Sequence, residues 1–408
     1  MPDASAIPKF VVDLSLPPEV RYNHIVPQFQ QSIDSCNLRS LYSILLMDLA
    51  GGFIGNRLAS LSRYILRGVH SKEETAELSG LSKAMNMPMH ILVAFNVLLD
   101  LLLGCTSGGV RTFDTPISKG KTRMLHFRTL DWGMEGLRHI IVELDFVRHA
   151  GGPVVAMTIT YLGYVGVLTG VRRGLSMSLN FRPCHASDTI LQRLSFRWNQ
   201  AMVVLGQRQS ISSALRNILL DESAEADVKT EESTRDSADT AEKGVSDEYV
   251  QKVLERLSTS ESSAAYLILC QPERVFLVEK DNKTATVSES DTFLTVCNHD
   301  VKHEDDPSLL RQAAAELEEA DDALGMAELV SLSVDRKKHL EGLWREGTSS
   351  CQRRYKHQRD VVTHRDVIKF LEDDEIRNEE THYAVIMNPK DGKIIWRKKY
   401  EAEESSEE

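Results

Sequence analysis

Cysteines are scarce in this sequence, and none stands in the CxxC spacing of zinc ribbons and thioredoxin-type redox centres. The 408-residue chain has six, at irregular intervals unlike the dense cysteine framework of a small secreted domain. We therefore expect reduced thiols and a cytoplasmic location. The six are Cys36, Cys105, Cys184, Cys270, Cys297 and Cys351.

Long apolar runs are also missing. The first ten residues lack the apolar core of a signal peptide, so nothing there predicts export, although a lysosomal or vacuolar location stays open. The longest apolar run, 91–104, contains Asn96 and Asp100. It is too short to span a bilayer, which takes roughly 20 apolar residues.

An excess of positive charge is absent as well. The formal net charge is −12, which argues against a general nucleic-acid binder. Much of the negative charge lies in residues 221–248 and in the acidic tail, 401–408. Within the first of these, the stretch of about 223–246 has almost no large apolar residue, and it predicts a disordered insert.

The spacing of apolar residues changes character along the chain. Residues 8–104 are predicted to be mostly helical, and Gly104 is predicted to stop the last helix. From Arg123 onward, short β-branched segments separated by glycine turns predict antiparallel strands. Strands, then helices, then strands indicate a layered α+β fold. Helices are predicted at 38–49, 72–85, from 88 toward 103, at 187–205, at 211–220 and within 304–332; strands are predicted from 123, and at 138–147, 153–160, 164–169, 174–180, 264–269, 275–279, 285–288, 293–297, 382–387 and 393–397.

Cys105 is the first candidate for chemistry. A lone cysteine at the end of an apolar run is often only a buried core residue. Its neighbours favour a reactive thiol, because Gly104 permits the twisted backbone of an N-to-S acyl shift. Thr106 and Ser107 would keep the thiol accessible once the chain is cut. The pattern suggests an N-terminal nucleophile hydrolase, in which the freed amine acts as the base.

Arg128 and Asp131 follow in the next β-like segment. They could form an ordinary exposed ion pair of small energetic value. In the functional interpretation, Arg128 lies beside the thiolate and lowers its pKa. Asp131 then holds the new α-amine and orients it as the proton acceptor.

Two asparagines lie at predicted strand ends, Asn180 and Asn298. Residues at strand ends commonly satisfy the local backbone with their side chains. Near a nucleophile, two side-chain amides could instead donate to an oxyanion, each typically worth a few kcal/mol of barrier.

Two other patterns are weaker. The glycine-rich run 163–170 lacks dinucleotide-binding spacing and predicts a tight turn between strands, or a wall lining a pocket. His299, Asp300 and His303 could ligate a metal, but their spacing is loose, and we expect no metal site.

Taken in order, these residues resemble the acid ceramidase and N-acylethanolamine acid amidase family, with bile salt hydrolases and penicillin acylases as more distant relatives. The most specific likeness is Cys105-Thr-Ser followed by Arg128-Thr-Leu-Asp131. Arg336, in Ser-Val-Asp-Arg, looks like the distal arginine of the family. The other similar segments are 12–21, 88–96, 163–170, 176–180 and 295–298.

The resemblance implies a four-layer αββα sandwich, self-cleavage between Gly104 and Cys105, and a helical α-subunit, 1–104, bound to a catalytic β-subunit, 105–408. It implies hydrolysis of the N-acyl bond of ceramide or a related lipid amide through a thioester, without metal or organic cofactor. Peripheral membrane contact is a further expectation. The implied substrate-binding residues are Trp132, Tyr161, Tyr164 and Phe181.

One position departs from the family pattern. Ceramidase-type sequences have a glutamate after the first asparagine, whereas this chain has Phe181. We expect a more apolar pocket that tolerates many amine groups. Two alternatives stay open: hydrolysis or acyl transfer on another linear amide, such as a bile-acid conjugate or a β-lactam side chain, or an uncut, inactive relative that binds partners through its acidic segments.

Overall fold

The computed structural model describes residues 6–36, 38–39, 42, 62–98, 104–113, 121–183, 189–224, 244–306, 308–311, 315, 326–355 and 359–401. The strands are β1 (Lys9–Asp13), β2 (Gly104–Phe113), β3 (Thr122–Asp131), β4 (Ile141–Val147), β5 (Val154–Tyr161), β6 (Thr169–Arg172), β7 (Leu175–Phe181), β8 (Ala265–Cys270), β9 (Val275–Lys280), β10 (Ala285–Ser290), β11 (Phe293–Val296), β12 (Thr381–Asn388) and β13 (Lys393–Lys399). The helices are α1 (Gln30–Cys36), α2 (Lys72–Ala84), α3 (Met89–Leu98), α4 (Ile190–Val204), α5 (Ile211–Leu219), α6 (Asp247–Thr259), α7 (Lys302–Asp305), α8 (Met326–Tyr355) and α9 (His364–Glu372).

The strands of the described residues form two sheets. The larger has the order β1-β4-β5-β6-β7-β8-β9-β10, and the smaller has the order β11-β2-β3-β12-β13. Neighbouring strands are antiparallel, except for β1, which runs parallel to β4 with Lys9 opposite Glu143. Strand β8 is buried along its whole length, in keeping with its nearly continuous apolar sequence. Strand β4 is buried as well, and its two acidic residues, Glu143 and Asp145, pair with Lys9 of β1.

The two sheets stack face to face between helices. Alternation along β3 sends Leu130 into the core between the sheets, while Leu125 and Phe127 pack with Leu340 of α8 and Phe370 of α9. On the far side, α5 packs on β6, and α6 packs on β9 and β10. The result is the four-layer αββα sandwich that the resemblance implies, and the predicted α+β class is confirmed.

Several predicted elements need correction. Residues 9–13 form a strand rather than a helix, because the half-buried edge of the larger sheet accepts them beside β4. Gly104 begins a strand instead of ending a helix; α3 is described only to Leu98, and 99–103 lie outside the described residues. Segment 164–168 is not a strand, since β6 starts at Thr169.

Residues at both ends of the insert predicted at about 223–246 are folded. Ala224 and Val245 are buried, and Ser246 caps α6 by accepting a hydrogen bond from the Tyr249 amide. Residues 225–243, the tail 402–408 and most of the helix predicted at 38–49 lie outside the described residues. The helix predicted within 304–332 ends too early, because α8 continues to Tyr355.

Candidate active site

Cys105 lies where one neighbour of its strand ends. On the β11 side of β2, the ladder stops with Val296 opposite Ser107. The Cys105 amide therefore has no strand partner on that side, and it donates a hydrogen bond of 2.9 Å to Asn298 Oδ1. The thiol side chain is fully buried in the core between the two sheets.

Arg128 reaches the thiol from β3. Its Nη2 lies 3.1 Å from Cys105 Sγ and also donates to the Leu179 carbonyl at 2.7 Å. Its Nη1 donates to the Leu168 carbonyl and to Thr169 Oγ1. The irregular backbone of 164–168 thus supplies one of the acceptors that hold the guanidinium in place.

Burial dominates the electrostatics of this pair. It raises the pKa of the Cys105 thiol, and the positive charge of Arg128 only partly opposes that rise. The sequence predicted that Arg128 lowers this pKa, and the arginine's own effect is in that direction. The net shift is nevertheless upward, so the expectation of a lowered thiol pKa is wrong. The pKa of Arg128 is itself raised, because its interactions with Cys105 and Tyr383 outweigh the desolvation that would lower it. Burial therefore favours the neutral thiol, and the adjacent guanidinium favours the thiolate.

Asp131 lies on the other face of the same strand pair. It stands directly opposite Gly104 in the ladder, and it accepts hydrogen bonds from Arg336 Nη1 of α8 at 3.0 Å and from Thr381 Oγ1 at 2.7 Å. Burial raises its pKa, and Arg336 opposes this. The structure therefore places the carboxylate beside the residue that precedes the thiol, where Arg336 and Thr381 fix it.

The two asparagines meet from opposite sheets. Asn180 accepts from Ser107 Oγ at 2.7 Å and donates to the carbonyls of Val296 and Cys297. Asn298 donates to the Phe181 carbonyl at 2.8 Å, while its oxygen holds the Cys105 amide. Asn298 contacts the backbone of the predicted nucleophile, and Asn180 contacts Ser107, two residues further along β2. The hydrogen bonds that these two side chains donate end on backbone carbonyls.

Three of the four predicted substrate-binding residues cluster. The Trp132 and Tyr161 rings are 6.2 Å apart, and Phe95 of α3 lies 5.8 Å from Tyr164 and 6.3 Å from Tyr161. Phe181 instead ends β7, where its carbonyl accepts from Asn298. The N-terminal segment therefore contributes an aromatic ring to this apolar wall.

Polar side chains of α3 and α5 also fix the glycine-rich segment. Asn96 donates to the Gly163 carbonyl and accepts from the Val165 amide, each at 2.8 Å. Arg216 donates to the Val165 carbonyl and pairs with the fully buried Glu77 at 2.6 Å. Residues 163–165 thus form a loop held from two sides, rather than a strand.

Sequence reasoning missed three neighbours of the site on β12. Thr381 binds Asp131, His382 Nδ1 lies 2.7 Å from the Tyr161 hydroxyl, and the Tyr383 hydroxyl lies 2.9 Å from Thr169 Oγ1. The available signal was three polar or aromatic residues in a row at the start of a predicted strand. No group of three histidine, cysteine or acidic residues in the described part of the chain could hold a metal.

Comparison with known proteins gives the following matches. The family model of the beta subunit of N-acylethanolamine-hydrolyzing acid amidase matches residues 5–70. Acid ceramidase of Rattus norvegicus is 27% identical over 195 residues, which cover 43% of this chain and 46% of the relative. Acid ceramidase of Heterocephalus glaber is 25% identical over the same shares. The chain thus spans about half the length of the curated relatives it matches.

Among solved structures, the N-acylethanolamine-hydrolyzing acid amidase ortholog of Caenorhabditis elegans matches with a TM-score of 0.45 and 19% identity. That match covers 70% of this chain and 93% of the ortholog. The family model and the curated relatives confirm the predicted resemblance to acid ceramidase and N-acylethanolamine acid amidase.

Proposed function

We propose that this chain is an amidohydrolase that cuts itself between Gly104 and Cys105 and then hydrolyses the N-acyl bond of a lipid amide. The contact that carries the proposal is Arg128 Nη2 at 3.1 Å from Cys105 Sγ, in a site where Asn298 holds the Cys105 nitrogen. Any buried backbone amide needs an acceptor, whereas a purely structural cysteine needs no cation at its sulfur.

Self-cleavage begins at the Gly104 carbonyl. Cys105 Sγ loses its proton and attacks this carbon, the C–N bond breaks, and the nitrogen takes up a proton to become the free α-amine. Water then hydrolyses the resulting thioester and leaves a carboxylate on Gly104. Arg128 stabilises the thiolate, and Asp131 stands beside Gly104, with its charge fixed by Arg336.

Turnover repeats this chemistry on the substrate. The α-amine accepts the thiol proton, Sγ attacks the acyl carbon, and the substrate amine departs with a proton. Water hydrolyses the thioester and releases the fatty acid. Asn180 and Asn298 donate to the oxyanion in this scheme, which requires them to exchange a carbonyl partner after cleavage.

Residues 1–104 and 105–408 stay together as α- and β-subunits. The β1–β4 ladder, the Glu77–Arg216 pair and the hydrogen bonds of Asn96 support this part of the proposal. All three join the segment before residue 104 to the segment after it. Size-exclusion chromatography of the cut protein should give one peak that contains both fragments.

The proposed substrate is ceramide or a related lipid amide, reached at a membrane surface. Helix α4 presents Ile190, Leu191, Leu194 and Trp198 along one exposed side, with Leu191 78% exposed. In the described part of the chain, no helix is long and apolar enough to cross a bilayer. The proposed arrangement is therefore peripheral contact through this side of α4.

The decisive experiment is intact mass of the purified protein, followed by a panel of ceramides, N-acylethanolamines and other acyl amides. The proposed activity is established by two fragments, one ending at Gly104 and the other beginning at Cys105, together with release of fatty acid from a lipid amide. A cleaved chain that acts only on other linear amides would make those amides the substrate class in place of lipid amides. A stable full-length chain without activity favours the uncut relative that binds partners. For the proposed cytoplasmic location, cell fractionation is the matching test.

A further inference from the structure

Side-chain hydrogen bonds connect the end of β7, in the larger sheet, to the segment around the end of β11, in the smaller sheet. Asn180 donates to Val296 and Cys297, and Asn298 donates back to Phe181. These bonds bring two segments of distant sequence to the same edge of the site. They hold Asn298 at its nitrogen end, while its oxygen accepts from the Cys105 amide. The backbone on either side sets where both ends of this side chain can reach.

Arg182 and Asp300 complete this join immediately beyond the two asparagines. Arg182 Nε lies 2.7 Å from Asp300 Oδ1, and its Nη2 lies 2.8 Å from Oδ2, a bidentate geometry that fixes both distance and angle. The Tyr266 hydroxyl donates to Asp300 Oδ1 at 2.8 Å, and Arg182 also donates to the Lys280 carbonyl. Both charged side chains are almost entirely buried.

The ion pair remains charged despite its burial. Burial alone would raise the pKa of Asp300, but the Arg182 guanidinium outweighs it and the pKa is lowered. A buried pair of this kind seldom stabilises a fold more than apolar residues of the same size would. Its value here is directional, because it sets the backbone of residues 298–300 against the end of β7.

We propose that the Arg182–Asp300 pair is a positioning element that places Asn298 Oδ1 on the Cys105 nitrogen, and so controls the rate of self-cleavage and of turnover. The part concerning catalysis rests on the proposed function. Before cleavage, Asn298 holds the amide of the bond to be broken. After cleavage, the same oxygen can accept one amine hydrogen and so direct the nitrogen lone pair toward the thiol.

Amide hydrogen exchange at residue 105 tests the positioning without reference to activity. In a Cys105→Ala background, which keeps the backbone amide, Arg182→Lys and Asp300→Asn should each speed exchange at this amide by about tenfold. The matched control is Arg208→Lys, at a partly exposed pair with Glu261. Unchanged exchange at residue 105, or equal acceleration in the control, would overturn the proposal. If Arg182→Lys fails to fold, Tyr266→Phe, which removes one hydrogen bond from Asp300, gives the same readout.

Kinetics of the cut enzyme supply the second readout. Misplacement of a reacting group by about 1 Å can cost about a hundredfold in rate, so Arg182→Lys should lower kcat about ten- to hundredfold and keep KM within about threefold. An unchanged kcat in the presence of a faster-exchanging amide would overturn the catalytic half of the proposal. A wild-type chain that is neither cut nor active would refute the proposed function alone, because the exchange result stands separately.

Discussion

The two faces of the β2–β3 strand pair at Cys105 are built differently. The face between the sheets holds the thiol and Arg128, packed against the carbonyls of Leu168 and Leu179. The face beneath α8 holds Asp131, fixed by Arg336 and Thr381. One face carries the Cys105 thiol with its cation, and the other carries the Asp131–Arg336 pair beside Gly104.

Two charged residues three positions apart, Arg128 and Asp131, do not form one cluster on this strand. Side chains alternate along a strand, so positions 128 and 131 point to opposite faces. The spacing itself separates the group that contacts the sulfur from the group that stands opposite Gly104. Substitutions on the two faces should therefore have separable effects, of which the loss of the thiol is the largest.

Cys105→Ala should abolish both self-cleavage and amidase activity, because the variant lacks the sulfur that forms the thioester. Wild-type protein should show two fragments on a denaturing gel, and the variant should show one. Fragments that persist in Cys105→Ala would falsify autocatalysis.

Arg128→Ala and Asp131→Asn should each nearly abolish turnover, by roughly 10²-fold or more, while the fold survives. They should differ in thiol reactivity. Alkylation of Cys105 should slow strongly without Arg128, since the thiolate loses its cation, and change little in Asp131→Asn. Mass spectrometry after a timed iodoacetamide pulse measures this. An equal fall in the alkylation rate of Cys105 in both variants would mean that the two faces are not separate.

Acid should destabilise the core near the site. Burial lowers the pKa of His126 to about 3 and that of His382 to about 3. Between these values and the ordinary histidine value near 6.5, the unfolded chain binds more protons than the folded chain, so stability falls as pH falls below about 6.5. The loss is on the order of 2 kcal/mol per histidine at pH 5.

Thermal melts from pH 7 to 5 check the acid effect, with His126→Gln as the variant that should flatten the curve. His126 lies between Ser176 and Ser178, so an amide can retain part of this bonding. A melting temperature that rises between pH 7 and pH 5 would contradict the lowered pKa values of His126 and His382.

Substrate preference should depend weakly on the amine half. Phe181 follows Asn180, at a position where the family resemblance implies a carboxylate, and an apolar wall discriminates less than a buried hydrogen-bonding group. Values of kcat/KM for ceramide, N-acylethanolamine and a glycine conjugate with one acyl chain should fall within about a hundredfold, or about 2.7 kcal/mol. Strict selection of one headgroup would refute this role of Phe181.

The smallest effect is expected on replacing residues 225–243 by a short Gly-Ser linker. Loop length changes stability slowly, by about 0.6 kcal/mol for a doubling, and Ala224 and Val245 are kept because they are buried. Activity and melting temperature should match those of the wild type. A large loss in either would assign the segment a structural or regulatory role.

Much of the fold could be predicted because local periodicity reports burial directly. The strands β5, β8 and β9 and the helices α2 and α5 lie within a few residues of their predicted positions. Strand β1 was missed because five residues on a sheet edge carry little pattern. Helix α9 was also missed, although Thr363 and Asp366 form a capping box at its start.

The sequence by itself determined the family resemblance, the candidate residues Cys105, Arg128 and Asp131, and the alternation that separates their faces. These follow from residue type and spacing, which are local. Only the tertiary structure decided that burial outweighs Arg128 at the thiol, and that Asn298 holds the Cys105 amide. Both depend on which distant segments meet, because desolvation and hydrogen-bond partners come from strands on either side of the sandwich.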